Sequence, residues 1–317
     1  AFSLVMGRHV SHQDTSDLPF SYLIEQQNTS YIMPGANLKS VGTIRDAQKW
    51  PVRDKRTDPD KLDQINFNLL SPYTIQKMLK GVGVLKELQR VSGLTSDTYS
   101  YQSGKIKSTS LVNGLKYYGY AIDKFFGNSL ITRIMESDPS SLEELREAFV
   151  PRSAYGEGDW VDIVGMIVPK MAISDLLDAI ENGEITDVDS LNRRFAELHS
   201  EYYRFEWKWA SKAMEEYYGM KLSEATVEEL SDLVRRWKNS VVSLDQLIYD
   251  DARKEFSLSA MTSFGADGTV SERELDFMNV RGSFFEADPF VRSVKEHIKD
   301  KSALGELALS RLASLCG

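Results

Sequence analysis

The sequence predicts a mainly α chain entered through a short β segment. Three observations carry this. Strand-like runs are confined to the first forty residues, apolar positions recur at helical spacing beyond Leu70, and polar cap signatures precede several of those stretches. With 317 residues, 42% hydrophobic and 27% charged, the chain can bury a large core as one domain or two.

Leu18-Pro19-Phe20-Ser21-Tyr22-Leu23-Ile24 and Ser30-Tyr31-Ile32-Met33 have strand character and are broken by Gln26-Gln27-Asn28-Thr29 and Pro34-Gly35. Helical signals begin near Val41. That divides a β-rich piece over 1–40 from a helical domain over 41–317, with a possible subdivision near 220. Ser71-Pro72 supplies a hydroxyl cap and a proline at the first helical position, and Ile75, Met78, Leu79, Val82, Leu85 and Leu88 follow on one face. Ser140-Ser141-Leu142-Glu143 and Thr226-Val227-Glu228-Glu229 fit the capping-box pattern. A short helix is expected over 174–180, ended by Asn182-Gly183, and one long helix from about 190 to 218, ended by Gly219. One or two helices over 230–254 and a helical pair around Asp288-Pro289 complete the chain. There is no internal repeat and no low-complexity tract.

A net charge of −9 argues against nucleic acid as a partner, because a phosphate backbone rewards a basic surface. No apolar run approaches the ~20 residues of a membrane helix; the longest, Ile163-Val164-Gly165-Met166-Ile167-Val168, stops at Pro169-Lys170. The single cysteine, Cys316, excludes an intrachain disulfide and a cysteine-based zinc site. The start, Ala1-Phe2-Ser3-Leu4-Val5-Met6, lacks a signal-peptide pattern and reads as mid-pattern, so the expectation is a cytoplasmic fragment of a longer chain.

The densest chemistry lies in Arg45, Lys49, Arg53, Lys55 and Arg56, close to Asn37 and Asp54. If the stretch through Trp50 is helical, Arg45 and Lys49 share a face, and Pro51 turns the chain to present Arg53 to Arg56. Such a cluster suits a phosphate or sugar-acid group, with Asn37 or Asp54 orienting the cations. Equally, the charges can pair with Asp46, Asp54, Asp58, Asp60 and Asp63 on a solvated loop. Tyr202, Tyr203, Phe205, Trp207, Trp209, Tyr217 and Tyr218 crowd the long helix; a helix buried on two faces explains them without a ligand.

His9 and His12, near Asp14 and Asp17, do not converge as metal ligands on extended backbone, and His199 and His297 read as structural. Residues 263–274 match an EF-hand loop only in the second half, at Asp267, Gly268, Val270, Ser271 and Glu274; Ser263 and Gly265 stand where carboxylates are needed. An Asp-Gly turn into a helix capped by Ser271 and Glu274 accounts for the same residues. No metal or other cofactor is expected. Phosphate-loop, dinucleotide, nucleophile-elbow and zincin motifs are absent, and no catalytic residue is assignable.

The 18–24 run, Ile32-Met33-Pro34-Gly35-Ala36-Asn37, and Arg45-Asp46-Ala47-Gln48-Lys49-Trp50 through Arg53-Asp54-Lys55-Arg56-Thr57 resemble the C-terminal part of the DUF4954 family of large bacterial proteins. The resemblance is clearest from Ala1 to about Thr74. It implies an upstream left-handed parallel β-helix of hexapeptide repeats, of which residues 1–24 are the last coil, followed by a helical region. It also implies kinship with sugar-nucleotide pyrophosphorylases and acyltransferases, a phosphorylated-sugar or nucleotide-sugar ligand, and homo-oligomers formed through the β-helix. The fragment itself is not expected to be active alone. Two readings stay open: a contribution to a nucleotidyl- or acyl-transfer site, and a non-catalytic domain that caps and oligomerises the β-helix.

Overall fold

The computed structural model describes residues 1–58, 62–262, 264–265 and 267–315. Asp60, Ser263 and Cys316 lie outside the described residues. Its strands are β1 (Leu4–Met6), β2 (Tyr22–Gln26), β3 (Thr29–Met33), β4 (Thr98–Tyr101), β5 (Gly104–Lys107), β6 (Trp160–Ile163) and β7 (Met166–Pro169). Its α-helices are α1 (Val41–Arg53), α2 (Pro72–Ser92), α3 (Ser108–Glu136), α4 (Leu142–Ala148), α5 (Lys170–Glu181), α6 (Val188–Ser200), α7 (Tyr202–Tyr218), α8 (Val227–Ala252), α9 (Val270–Arg281) and α10 (Pro289–Ser314). The expected mainly α fold with a short β segment is what forms.

β1 to β5 make one mixed sheet in the order β1-β2-β3-β5-β4. β2 and β3 are an antiparallel hairpin, β1 lies parallel to β2, and β5 joins β3 in parallel. The sheet therefore draws strands from both sides of residue 40. Leu18, Phe20, Ile32, Tyr99 and Ile106 are buried with Ile75 and Met78 of α2 and with α3. One apolar core runs on through Trp160, Trp207 and Trp209 to Trp237, Ala308 and Leu312.

α3 is the 29-residue axis of the molecule. Its buried carboxylate is positioned by α7 and α8: Asp123 accepts hydrogen bonds from Tyr218 of α7 (2.8 Å) and Ser240 of α8 (3.0 Å), yet burial still holds its carboxyl above the ordinary range. At Gly127 the indole of Trp237 lies so close that a Cβ would sit 2.3 Å from its Cδ1. Trp237 Nε1 then donates to Asn128 Oδ1 at 2.9 Å, which fixes the ring.

The local signals held where they were local. Ser71 caps α2, and Thr226 and Glu229 form the capping box of α8. Three expectations are corrected. The long helix expected from about 190 to 218 is two helices, because the chain breaks at Glu201, which starts a new turn for α7; the seven crowded aromatic residues all lie on α7. α9 is capped by Thr269 with Glu272, two residues earlier than Ser271 and Glu274, since the extended backbone at Thr269 lets its hydroxyl accept from the Glu272 amide. After Asp288 there is one helix, α10, preceded only by a 3-10 turn. The apolar run at 163–168 is the hairpin of β6 and β7.

That hairpin turns through Val164 (φ 52°) and Gly165 (φ 100°). Both central residues of this tight turn are left-handed, a geometry suited to Asn-Gly and strained for a β-branched side chain. Val164 is 97% exposed, so it has no packing to lose. Val164→Asn is expected to raise stability by about 1 kcal/mol in urea denaturation. Gly127→Ala is expected to lower it by about 2–3 kcal/mol by driving Trp237 from α3.

Candidate functional site

A cavity of about 1000 Å³ opens beneath α1, walled by α3, α7, α8 and α10. The chain between α1 and α2 forms another wall. There Asn66 is clamped to the β6–β7 hairpin, its N–H donating to Gly165 O (2.9 Å) and its Oδ1 accepting from the Ile167 N–H (2.8 Å). The clamp brings Phe67, Asn68 and Leu69 to the cavity. From α1 come Ile44, Ala47, Gln48 and Pro51, the helical spacing of a single face.

The cavity holds a linked set of ionisable groups. Asp245 of α8 lies 2.6 Å through Oδ2 from His297 Nδ1 of α10, and 3.7 Å through Oδ1 from Lys124 Nζ of α3. Burial pulls the Lys124 ammonium below the usual lysine range; Asp245 opposes that shift and the charge of Lys301 adds to it. An imidazole whose Nδ1–H donates to a carboxylate has Nε2 left for proton exchange or for a ligand.

On the α7 side, the Glu206 carboxyl is pushed up to about 7 by burial, with Tyr202 acting in the opposite direction. Glu206 still touches the solvent of the cavity. The Tyr202 side chain is buried one turn before it, and burial drives the pKa of its hydroxyl upward. Arg133 of α3 stacks over Trp207, its guanidinium carbon 5.2 Å from the ring centroid. It is half-buried and forms no ion pair among the described residues. Trp207 also packs on Phe149 and donates through Nε1 to Phe149 O at 3.1 Å, so its ring is a fixed wall. The pairing of general acid–base groups with fixed aromatic and cationic walls is the chemistry of a small-molecule site.

The cationic cluster at 45–56 sits elsewhere. Arg45 is in α1 and pairs through Nη1 with both oxygens of Glu255 at 3.0 and 2.9 Å; Arg281 joins the same carboxylate at 2.7 Å. Lys49 and Arg53 continue this side of α1, at four-residue steps, and neither lines the cavity. Arg56 pairs with Asp54 and Asp63 on the exposed loop, where Lys55 is exposed too. Asn37 is buried: Nδ2 donates to Phe2 O (2.6 Å), and Oδ1 accepts from Thr43 (2.7 Å). These side chains do not converge on one anion.

The aromatic crowding is mostly core, with Trp209 between Phe125 and Phe126, while Tyr203 is exposed at the cavity. His9 bonds Ser30 at 2.8 Å. Among the described residues no three His, Cys, Asp or Glu side chains converge to hold a metal. Among the described residues no helix is long and apolar enough to cross a membrane. Lys124, Arg133, Glu206, Asp245 and His297 were not singled out as a site in sequence. The one local sign was a charged pair, Asp123-Lys124, inside an otherwise apolar run of α3.

Because the folded state keeps the Glu206 proton that the unfolded chain loses from about 4.5 upward, stability should decline as pH rises to about 7. The loss is on the order of 2 kcal/mol, allowing for solvent contact in the cavity. Glu206→Gln should flatten that slope in urea melts taken between those two values.

Two family models match the chain. Residues 1–89 match a domain of unknown function, DUF4954. Residues 141–312, including α7, α8 and most of α10, match a different one, DUF6819. The DUF4954 match is thus at the N-terminal end, and much of the helical remainder falls under its own model. No curated protein and no solved structure matches. With more than half of its length matched, the chain belongs to the DUF6819 family.

Proposed function

We propose that the cavity beneath α1 holds a phosphorylated sugar or nucleotide-sugar, and that the helical body serves a nucleotidyl- or acyl-transfer site in a hexapeptide-repeat protein. The observation that carries this reading is Arg133. A half-buried guanidinium on the face of Trp207, with no carboxylate partner among the described residues, is a cation held ready for an anionic ligand. Lys124 adds a second positive group, and Asn68, Asn128 and Gln48 are placed to meet hydroxyls. Phe67 and Tyr203 offer exposed ring faces on which a base or sugar can stack. A volume of about 1000 Å³ suits a ligand of that size. Glu206, pushed up to about 7, and His297, oriented by Asp245, are suited to pass protons during group transfer.

A thermal-shift screen against nucleotide sugars, sugar phosphates and acyl-CoAs tests the reading. A phosphorylated sugar or nucleotide should raise the melting temperature, and Arg133→Met should weaken that ligand about tenfold or more. Arg53→Ala should leave it unchanged. Absence of any hit, or a hit indifferent to Arg133, contradicts the proposal.

A second, compatible reading is that the sheet end of the molecule caps a β-solenoid. β1 pairs with β2 in parallel with Leu4 opposite Tyr22, an offset of 22 − 4 = 18 residues, or three hexapeptides. Leu4, Val5 and Met6 are exposed on the outermost strand, whose free side suits another coil or copy. Under this reading the chain self-associates through β1 at high concentration, and Val5→Lys keeps it monomeric in light scattering. A monomer in both cases counts against association through this edge.

A further inference from the structure

A second cavity, of about 290 Å³, lies against the first. Asn128, Thr132 and Glu136 of α3 line both. With Lys124 they recur every four residues, forming one stripe that steps about 6 Å along α3 at each position. The larger cavity holds Lys124; the smaller holds Lys301 and the edge of Trp237. α3 and α10 touch only lightly, which leaves the seam between them open.

α10 follows the same course. His297 lines the larger cavity, and Lys301, one turn on, lines the smaller. Lys301 is half-buried and forms no ion pair among the described residues. It is near enough for its charge to act on Lys124. Two ammonium groups facing one seam repel each other, and an anion between them turns that repulsion into attraction. Asp245 does not fill this role, because its oxygens are already directed at His297 and Lys124. Glu136, the other carboxylate of the seam, is exposed at its rim.

We infer that the seam between α3 and α10 is a diphosphate site, one phosphoryl group lying by Lys124 and His297 and the next by Lys301. The inference rests on the phosphorylated-ligand reading of the larger cavity and names the linkage that ligand carries. A single phosphate at Lys124 leaves Lys301 unneutralised, whereas a diphosphate spans one turn of α10 and meets both ammonium groups. Asn128 and Thr132 supply neutral hydrogen-bonding groups along the span. The shared chemistry belongs to nucleoside diphosphates and to coenzyme A alike. The aromatic wall of the larger cavity receives the organic part in either case.

Isothermal titration of the folded chain with inorganic pyrophosphate, inorganic phosphate, a nucleoside-diphosphate sugar and coenzyme A tests this at fixed ionic strength. Pyrophosphate should bind about tenfold or more tighter than phosphate. Lys301→Met should remove that advantage while changing phosphate affinity less than about twofold, and Lys301→Arg should retain it. The two organic ligands distinguish the source of the diphosphate: whichever binds tighter than pyrophosphate is the better fit to the aromatic wall. Equal affinity for phosphate and pyrophosphate, or indifference to Lys301→Met, overturns the inference. If a sugar monophosphate still binds and still depends on Arg133, the larger-cavity reading survives that failure; if nothing binds, both fall.

Discussion

The close approach of Trp237 to Gly127 sets the geometry on which both the core and the cavity depend. An indole laid against helix backbone brings α8 nearer to α3 than any side chain at residue 127 would permit. That spacing buries Asp123 against Ser240 on one part of the interface and places Asp245 within reach of Lys124 on another. α3 is thereby both the axis of the apolar core and the floor of the site. Close-packed interiors shift as units, so disturbance of this contact reaches the ionisable groups without touching them directly.

The electrostatics of the cavity follow from unequal pairing. Asp245 is buried with two nitrogen partners, which offsets the cost of removing its charge from water. Glu206 has burial without a cation, and its carboxyl accordingly favours the proton. Arg133 and Lys301 have the reverse condition: partial burial without a carboxylate among the described residues. A surface cation without a partner loses little, because water screens it. A half-buried one inside a cavity has lost part of that water, and an anionic ligand restores what was lost. The exposed pair of Arg56 with Asp54 needs no such ligand, being closed within its own loop.

What the sequence revealed was local. Ser71 and Thr226 announced their helices because a cap depends on residues three positions apart. The mainly α character was legible for the same reason. The break at Glu201 was hidden because no glycine or proline stands between α6 and α7 to mark it. The cations at 45–56 were visible as charge, but the carboxylate that holds Arg45, Glu255, lies 210 residues away. Asp245 and His297 are 52 residues apart, and Lys124 precedes both on another helix. No spacing rule joins them; only the packing of α3, α8 and α10 does. His297, read in isolation as structural, is a cavity residue because of that packing.

The central claim is that the anion site lies on α3 and not on the basic stretch that follows the sheet. A crystal structure of the protein soaked with a nucleoside-diphosphate sugar tests it most directly. The account predicts phosphate density between Arg133, Lys124 and Lys301, with the organic part against Phe67 and Tyr203. Density on Arg53 to Arg56, with the cavity beneath α1 filled only by solvent, would contradict it.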